Sequence, residues 1–175
     1  MNKYLIVYSS KTGNTKQIAE SMYSAIADLG DLKSIDDEIE WEIYDVIFLG
    51  YSVEYGMPNK KAREFLAKLQ GKSIVLFQTL GAEAMGEHAM ISLANAVRYL
   101  GSNCKIVGAF SSQGKIDPNL LDRLAKLPAN HPHAPSIESQ KRWQKAAVHP
   151  DATELLEAHE FALKIKKRMN FLAQK

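Results

Sequence analysis

Four short runs of apolar, largely β-branched residues, at positions 4–8, 46–49, 74–77 and 106–110, constrain this chain more than any other feature. They are continuously apolar instead of alternating, which predicts strands buried on both faces, as in a parallel sheet. Parallel neighbours need crossovers, and helical patterns lie between the runs. Ile18, Met22, Ala25, Ile26 and Leu29 form one apolar stripe, closed by Gly30. Ala62, Phe65, Leu66 and Leu69 form a second, closed by Gly71, and Ile91, Leu93, Ala94, Val97 and Leu100 a third, closed by Gly101. A weaker strand at 32–35, followed by acids, suits a sheet edge. The alternation specifies an α/β fold, an open five-stranded parallel sheet with helices on both faces and right-handed crossovers.

After the last run the pattern changes. A helix at 119–127 leads into three prolines within 128–135, a fixed non-helical connector, and two further helices are expected at 136–148 and 151–173. The expected organisation is one domain over residues 1–127, with a C-terminal helical extension at 128–175 packed on it through Leu155, Phe161, Ile165 and Phe171. A chain of 175 residues can bury a core without staples, and the lone Cys104 cannot form an internal disulfide. No apolar run approaches the roughly 20 residues of a membrane helix, and the apolar start is too brief for a secretory leader. A cytoplasmic protein with no membrane association is therefore expected. Net charge is +2, which argues against a nucleic-acid partner. Its distribution is uneven, with seven acids between residues 31 and 45 and a basic tail around 164–168. Each of these is either solvated surface or a docking surface.

The first strand-to-helix turn holds the informative residues. In an open α/β sheet ligands bind at the carboxyl ends of the strands, where strand order reverses. Here Ser10, Thr12 and Thr15 offer hydroxyl donors, Gly13 permits a tight turn, and free N–H groups at the helix start favour an anion. Lys11 is the only charge among them. The turn reads either as a phosphate cradle made of neutral donors or as a well-capped connection. A nucleoside-triphosphate loop is excluded, because Glu87 and His88 stand where G-x-x-x-x-G-K-S/T needs Lys and Ser or Thr after Gly81 and Gly86. A dinucleotide fingerprint is excluded because Gly13 stands alone.

The run Ser10-Lys11-Thr12-Gly13-Asn14-Thr15 resembles the flavodoxin phosphate-loop pattern Ser/Thr-x-Thr-Gly-x-Thr directly after a buried strand. The resemblance extends to Gly50-Tyr51-Ser52-Val53-Glu54-Tyr55-Gly56-Met57-Pro58 and to Thr79-Leu80-Gly81-Ala82, and covers residues 1–125. It implies a flavodoxin-like fold and non-covalent flavin mononucleotide (FMN). The phosphate would lie at residues 10–15 and the ring edge against Ser52, Val53, Glu54, Tyr55 and Gly56 and against Thr79, Leu80, Gly81 and Ala82. Gln113 and Gly114, at the end of the last strand, either meet the flavin edge or form a plain turn. The segments 113–118 and 131–133 with the closing helix are also similar to a bacterial subgroup associated with bilirubin reductases.

The chain departs from many electron-carrying flavodoxins in two respects. The stretch 79–88 holds no aromatic residue, which leaves one ring face open; Tyr55 is the better stacking candidate, and Tyr51 is equally a core residue. The chain is also not acidic overall, although Glu54 and Glu83 can supply local negative charge near the ring. His88 reads as a surface residue or a proton donor, Cys104 as inert, and His131 with His133 as a rigid loop more than a metal pair. No metal site and no catalytic residue is singled out. The expected function is a flavodoxin-like carrier passing electrons from a reductase to a partner oxidoreductase. The competing readings are an FMN-dependent reductase acting directly on a small substrate with NAD(P)H, and an interaction module without cofactor.

Overall fold

Each apolar run becomes a strand that extends beyond the run itself. The computed structural model describes residues 2–128, 130–131 and 134–173. Its strands are β1 (Tyr4–Ser9), β2 (Gly30–Ser34), β3 (Val46–Glu54), β4 (Met57–Pro58), β5 (Ser73–Leu80) and β6 (Lys105–Gln113). Five of them form a parallel sheet in the order β2-β1-β3-β5-β6, and β4 pairs antiparallel with the end of β3. The chain therefore leaves β1 in one direction for β2 and crosses back past it for β3. The connections after β1 and β3 diverge and open a crevice at the carboxyl ends of the strands.

Two-residue periodicity divides the core. Tyr4, Ile6, Val46, Phe48, Val75 and Phe77 face a layer made by α1 (Asn14–Ser24) and α6 (Ala152–Leu172), where Ile18, Met22, Ala158, Ala162 and Ile165 are buried. Leu5, Val7, Ile47, Leu49, Tyr51, Ile74 and Leu76 face α2 (Lys60–Lys68) and α3 (Glu87–Val97). The closing helix α6 packs along α1 and β6 and so completes a layer of the sheet sandwich. Leu155, Phe161 and Ile165 join that core as expected, whereas Phe171 is 58% exposed.

Three expectations from periodicity are corrected. The helix α1 ends at Ser24, and Gly30 starts β2, where a Cβ would stand 2.8 Å from the Tyr4 carbonyl oxygen. On α3 the buried residues are Ala89, Ser92 and Ala96, while Ile91 and Val97 are exposed. Leu93 and Leu100 of the expected stripe do pack against the core, beside the small residues at the closest contact with the sheet. Finally, β6 is an edge strand with exposed Lys105, Ile106 and Ala109, so it is not buried on both faces.

Candidate functional site

The turn between β1 and α1 is built around Gly13. It occupies the N-cap of α1 at φ +87°, left-handed backbone that a side chain would strain, with nothing within 4 Å of a would-be Cβ. Glycine cannot cap the helix, and the first turn of α1 holds no acid, so the helix start is left to an external acceptor. Ser10 Oγ is buried and has no hydrogen-bond partner among the described residues. Thr12 Oγ1 accepts from Asn14 Nδ2 at 3.0 Å, which leaves its own proton to donate. These features fit a phosphate monoester: neutral O–H and N–H donors, no carboxylate from the turn itself, the nearby Asp117 being neutralised by Lys11, and an orphaned hydroxyl that such an oxygen would satisfy.

Not every residue of the motif faces outward. Asn14 is a brace, donating also to the Lys115 carbonyl at 2.8 Å. The hydroxyls of Thr15 and Thr79 lie 2.8 Å apart, both residues buried, and join the first turn to the end of β5. Lys11 is turned aside by an ion pair with Asp117 at 2.7 Å, which raises the lysine and holds the aspartate below the usual carboxylate range.

Residues 50–54 belong to β3, not to a loop, and only Tyr55 and Gly56 form the turn into β4. Both have positive φ, 53° and 71°, the signature of a type I′ hairpin whose twist suits the flanking strands. Tyrosine is a poor fit to that backbone, yet Tyr55 is 96% exposed and presents its ring from the hairpin tip. Asn59 clamps the base by donating to Ser52 Oγ at 3.1 Å, and Asn95 Nδ2 on α3 pins Gly56 O at 2.8 Å. Tyr51 points the other way. It is fully buried, its hydroxyl donates to Gln78 Oε1 at 3.2 Å, and burial pushes its phenol far above the ordinary range. Such left-handed side chains cluster at functional sites and cost stability. Replacing Tyr55 by Asn is expected to raise stability by about 1 kcal/mol in urea unfolding. A lower midpoint would mean that the turn stores no strain.

The third wall begins where β5 ends, at Thr79 and Leu80, and continues through Gly81 and Ala82. Gln113 supports it from beneath: its Nε2 donates to Gly81 O at 3.2 Å, and Gly114 N donates to Leu80 O at 2.9 Å. Glu83 is exposed but paired with Lys145 at 3.1 Å, so of the two glutamates Glu54 is the one bordering the crevice.

These elements enclose a crevice of about 510 Å³. Lys11, Thr12 and Asn14 line one end of it, Ser52, Val53, Glu54, Tyr55 and Gly56 one side, and Thr79, Leu80, Gly81, Ala82 and His88 another. Gly13, Thr15, Gln113 and Gly114 stand behind this surface as support, and Ser10 lies beside Thr12 in the same turn, its buried hydroxyl unpartnered. Sequence reading missed the remaining wall, formed by Lys115, Ile116 and Asp117, by Leu120, Arg123 and Leu124 of α4 (Pro118–Ala125), and by Trp143 of α5 (Ile137–Ala146). A tryptophan in the middle of the polar run at 138–145 was the available signal.

One titratable cluster lies behind the site. His149, Asp151 and Glu154 bring their ligand atoms within 4.8 Å of one another. The Glu154 oxygens are already engaged by Ser112 Oγ, the Gln113 and Asp151 N–H groups and His149 Nδ1, so the cluster is a knot fastening α6 to β6. Cys104 is free and half-buried. The pair His131 and His133 falls partly outside the described residues, since His133 is not among them.

The family model of the Flavodoxin domain matches residues 5–163. The chain is 33% identical over 165 residues to the flavodoxin-like domain-containing protein BilS of Clostridioides difficile (strain CD3), covering 91% of this chain and 94% of that one. Among solved structures it is similar to a flavodoxin from the domain Archaea, at TM-score 0.59 and 18% identity over 96% of this chain and 99% of the other. It is also similar to a flavoprotein in complex with FMN from Lactobacillus acidophilus NCFM, at TM-score 0.53 and 20% identity over 72% and 100%. No described helix is long and apolar enough to cross a membrane.

Proposed function

Since the chain belongs to the Flavodoxin domain family, we propose that it binds FMN in this crevice and serves as an electron carrier between a reductase and a partner oxidoreductase. The bound flavin would supply the capacity to accept and release electrons. The chain's own residues do the rest. Ser10, Thr12 and the start of α1 hold the phosphate, and Lys11, Asn14, Gly13 and Thr15 shape that turn. Ser52, Val53, Glu54, Tyr55 and Gly56, with Thr79, Leu80, Gly81 and Ala82, border the ring, and Gln113 and Gly114 brace the last of these. The single observation that carries the reading is the buried, unpartnered Ser10 hydroxyl in a turn of neutral donors that the protein itself leaves uncapped.

A carrier's partners must reach the ring edge. Tyr55 is tied to α3 through Gly56 and Asn95, and Met85, Met90 and Ile91, on that helix and its approach, are exposed apolar residues. An apolar centre with acids such as Glu54 and Glu87 around it suits a transient redox interface. The acidic stretch and the basic tail serve this purpose less well. Asp36 pairs with Lys61, Lys166 with Asp28, and Arg168 donates to Val107 O, so much of that charge holds the fold.

The test is reduction of the FMN-loaded protein. NADH or NADPH alone is expected to reduce it slowly. Adding a nicotinamide-dependent flavoprotein reductase should speed reduction by at least about 10-fold, with the gain falling as salt screens the docking charges over a Debye length of roughly 10 Å at 0.1 M. Rapid, saturable reduction by a nicotinamide with no partner present would favour the FMN-dependent reductase instead.

A further inference from the structure

The connection from β5 to α3 has no aromatic residue, yet the crevice has an aromatic wall that reaches it from elsewhere in the chain. Trp143 lines the crevice from α5. It belongs to neither of the two core clusters, so packing of the sheet does not account for it. The helix that carries it is fastened beside the aromatic-free connection. Lys145 Nζ reaches Glu83 Oε1 at 3.1 Å, Ala146 is fully buried, and the turn after α5 accepts at His149 O from Lys115 N at 3.0 Å. Leu120 and Leu124, one helical turn apart on α4, continue the same wall.

We infer that Trp143 is a flavin-contacting residue, the second aromatic wall of the site, delivered by the segment after β6 and not by the connection after β5. This rests on the FMN reading above. The ring then lies between the Tyr55 hairpin and α5, and its edge remains the route for electrons.

The experiment is titration of the full-length wild-type, Trp143→Ala and Trp143→Phe proteins with FMN, following flavin emission, with circular dichroism to check folding. Wild-type protein should bind FMN saturably with strongly quenched emission, because a stacked indole donates an electron to the excited flavin. Trp143→Ala should weaken binding about 10-fold and brighten the bound flavin several-fold. Trp143→Phe keeps a ring to stack on but is a poor electron donor, so it should stay within about threefold of wild-type affinity and still brighten the flavin. Should the Ala variant fail to fold, the Phe variant decides. Unchanged emission in a folded variant, with FMN bound normally by wild type, overturns the role of Trp143 and leaves the FMN reading standing. No saturable FMN binding by wild type overturns both.

Discussion

FMN is expected to bind at least about 100-fold more tightly than riboflavin, and the double substitution Ser10→Ala with Thr12→Ala to abolish most of that preference. Each hydroxyl would donate to a charged phosphate oxygen. Such bonds contribute roughly 1.5–3 kcal/mol apiece, and every 1.4 kcal/mol is about tenfold in affinity. The two positions should differ in the free protein. Ser10 Oγ is buried without a partner, so Ser10→Ala removes an unsatisfied group and should leave the flavin-free protein as stable as before or more so. Thr12→Ala removes the acceptor of the Asn14 amide and should loosen the turn slightly. Calorimetric titration with both flavins, paired with melting of the free variants, checks both statements. Equal affinity for FMN and riboflavin in the wild type would refute the phosphate assignment.

The two tyrosines flanking Ser52 and Glu54 should have opposite phenotypes. Tyr51 is a fully buried ring on the α2–α3 face of the sheet, so Tyr51→Ala should cost about 3–5 kcal/mol of stability. Tyr51→Phe keeps the ring but takes the donor from Gln78 Oε1 and should cost about 1–3 kcal/mol. Tyr55→Ala, at a site 96% exposed, should leave the urea midpoint nearly untouched and brighten bound flavin. A Tyr51→Ala protein with a wild-type midpoint would show that this ring is not structural.

The parts of the fold that the sequence made legible were those governed by local chemistry. The runs at 46–49 and 74–77 are buried on both faces, and α2 buries Ala62, Phe65 and Leu66 of its expected stripe. The turn at 10–15 was legible because a hydroxyl-rich, glycine-containing connection has few uses at the end of a buried strand. The misreadings arose where tertiary packing outweighed local pattern. Periodicity weighs large apolar residues, and α3 departs from it by making its closest contact through Ala89, Ser92 and Ala96, with Leu93 packed beside them and Ile91 and Val97 exposed. The Tyr55–Gly56 hairpin was hidden because tyrosine is not a type I′ residue. Trp143 was hidden because a wall of the crevice is assembled from residues far apart along the chain, brought together by the burial of Ala146, the Lys145–Glu83 pair and the Lys115–His149 hydrogen bond.

The Glu154 knot has a consequence for how such a fold can diversify. Its carboxylate holds the Gln113 N–H, and Lys115 N holds the His149 carbonyl, so the chain leaves the sheet and returns to it at nearly the same point. The described elements between them, α4 and α5, belong to an excursion whose two ends are held together at the sheet. Lengthening such an excursion costs little, about 0.6 kcal/mol for each doubling. Added length in this excursion is therefore expected to be tolerated wherever it spares Asp117 and Lys145, which pair with Lys11 and Glu83 of the site. Such a change would alter what meets the site from outside while the Glu154 contacts keep α6 in register with β6.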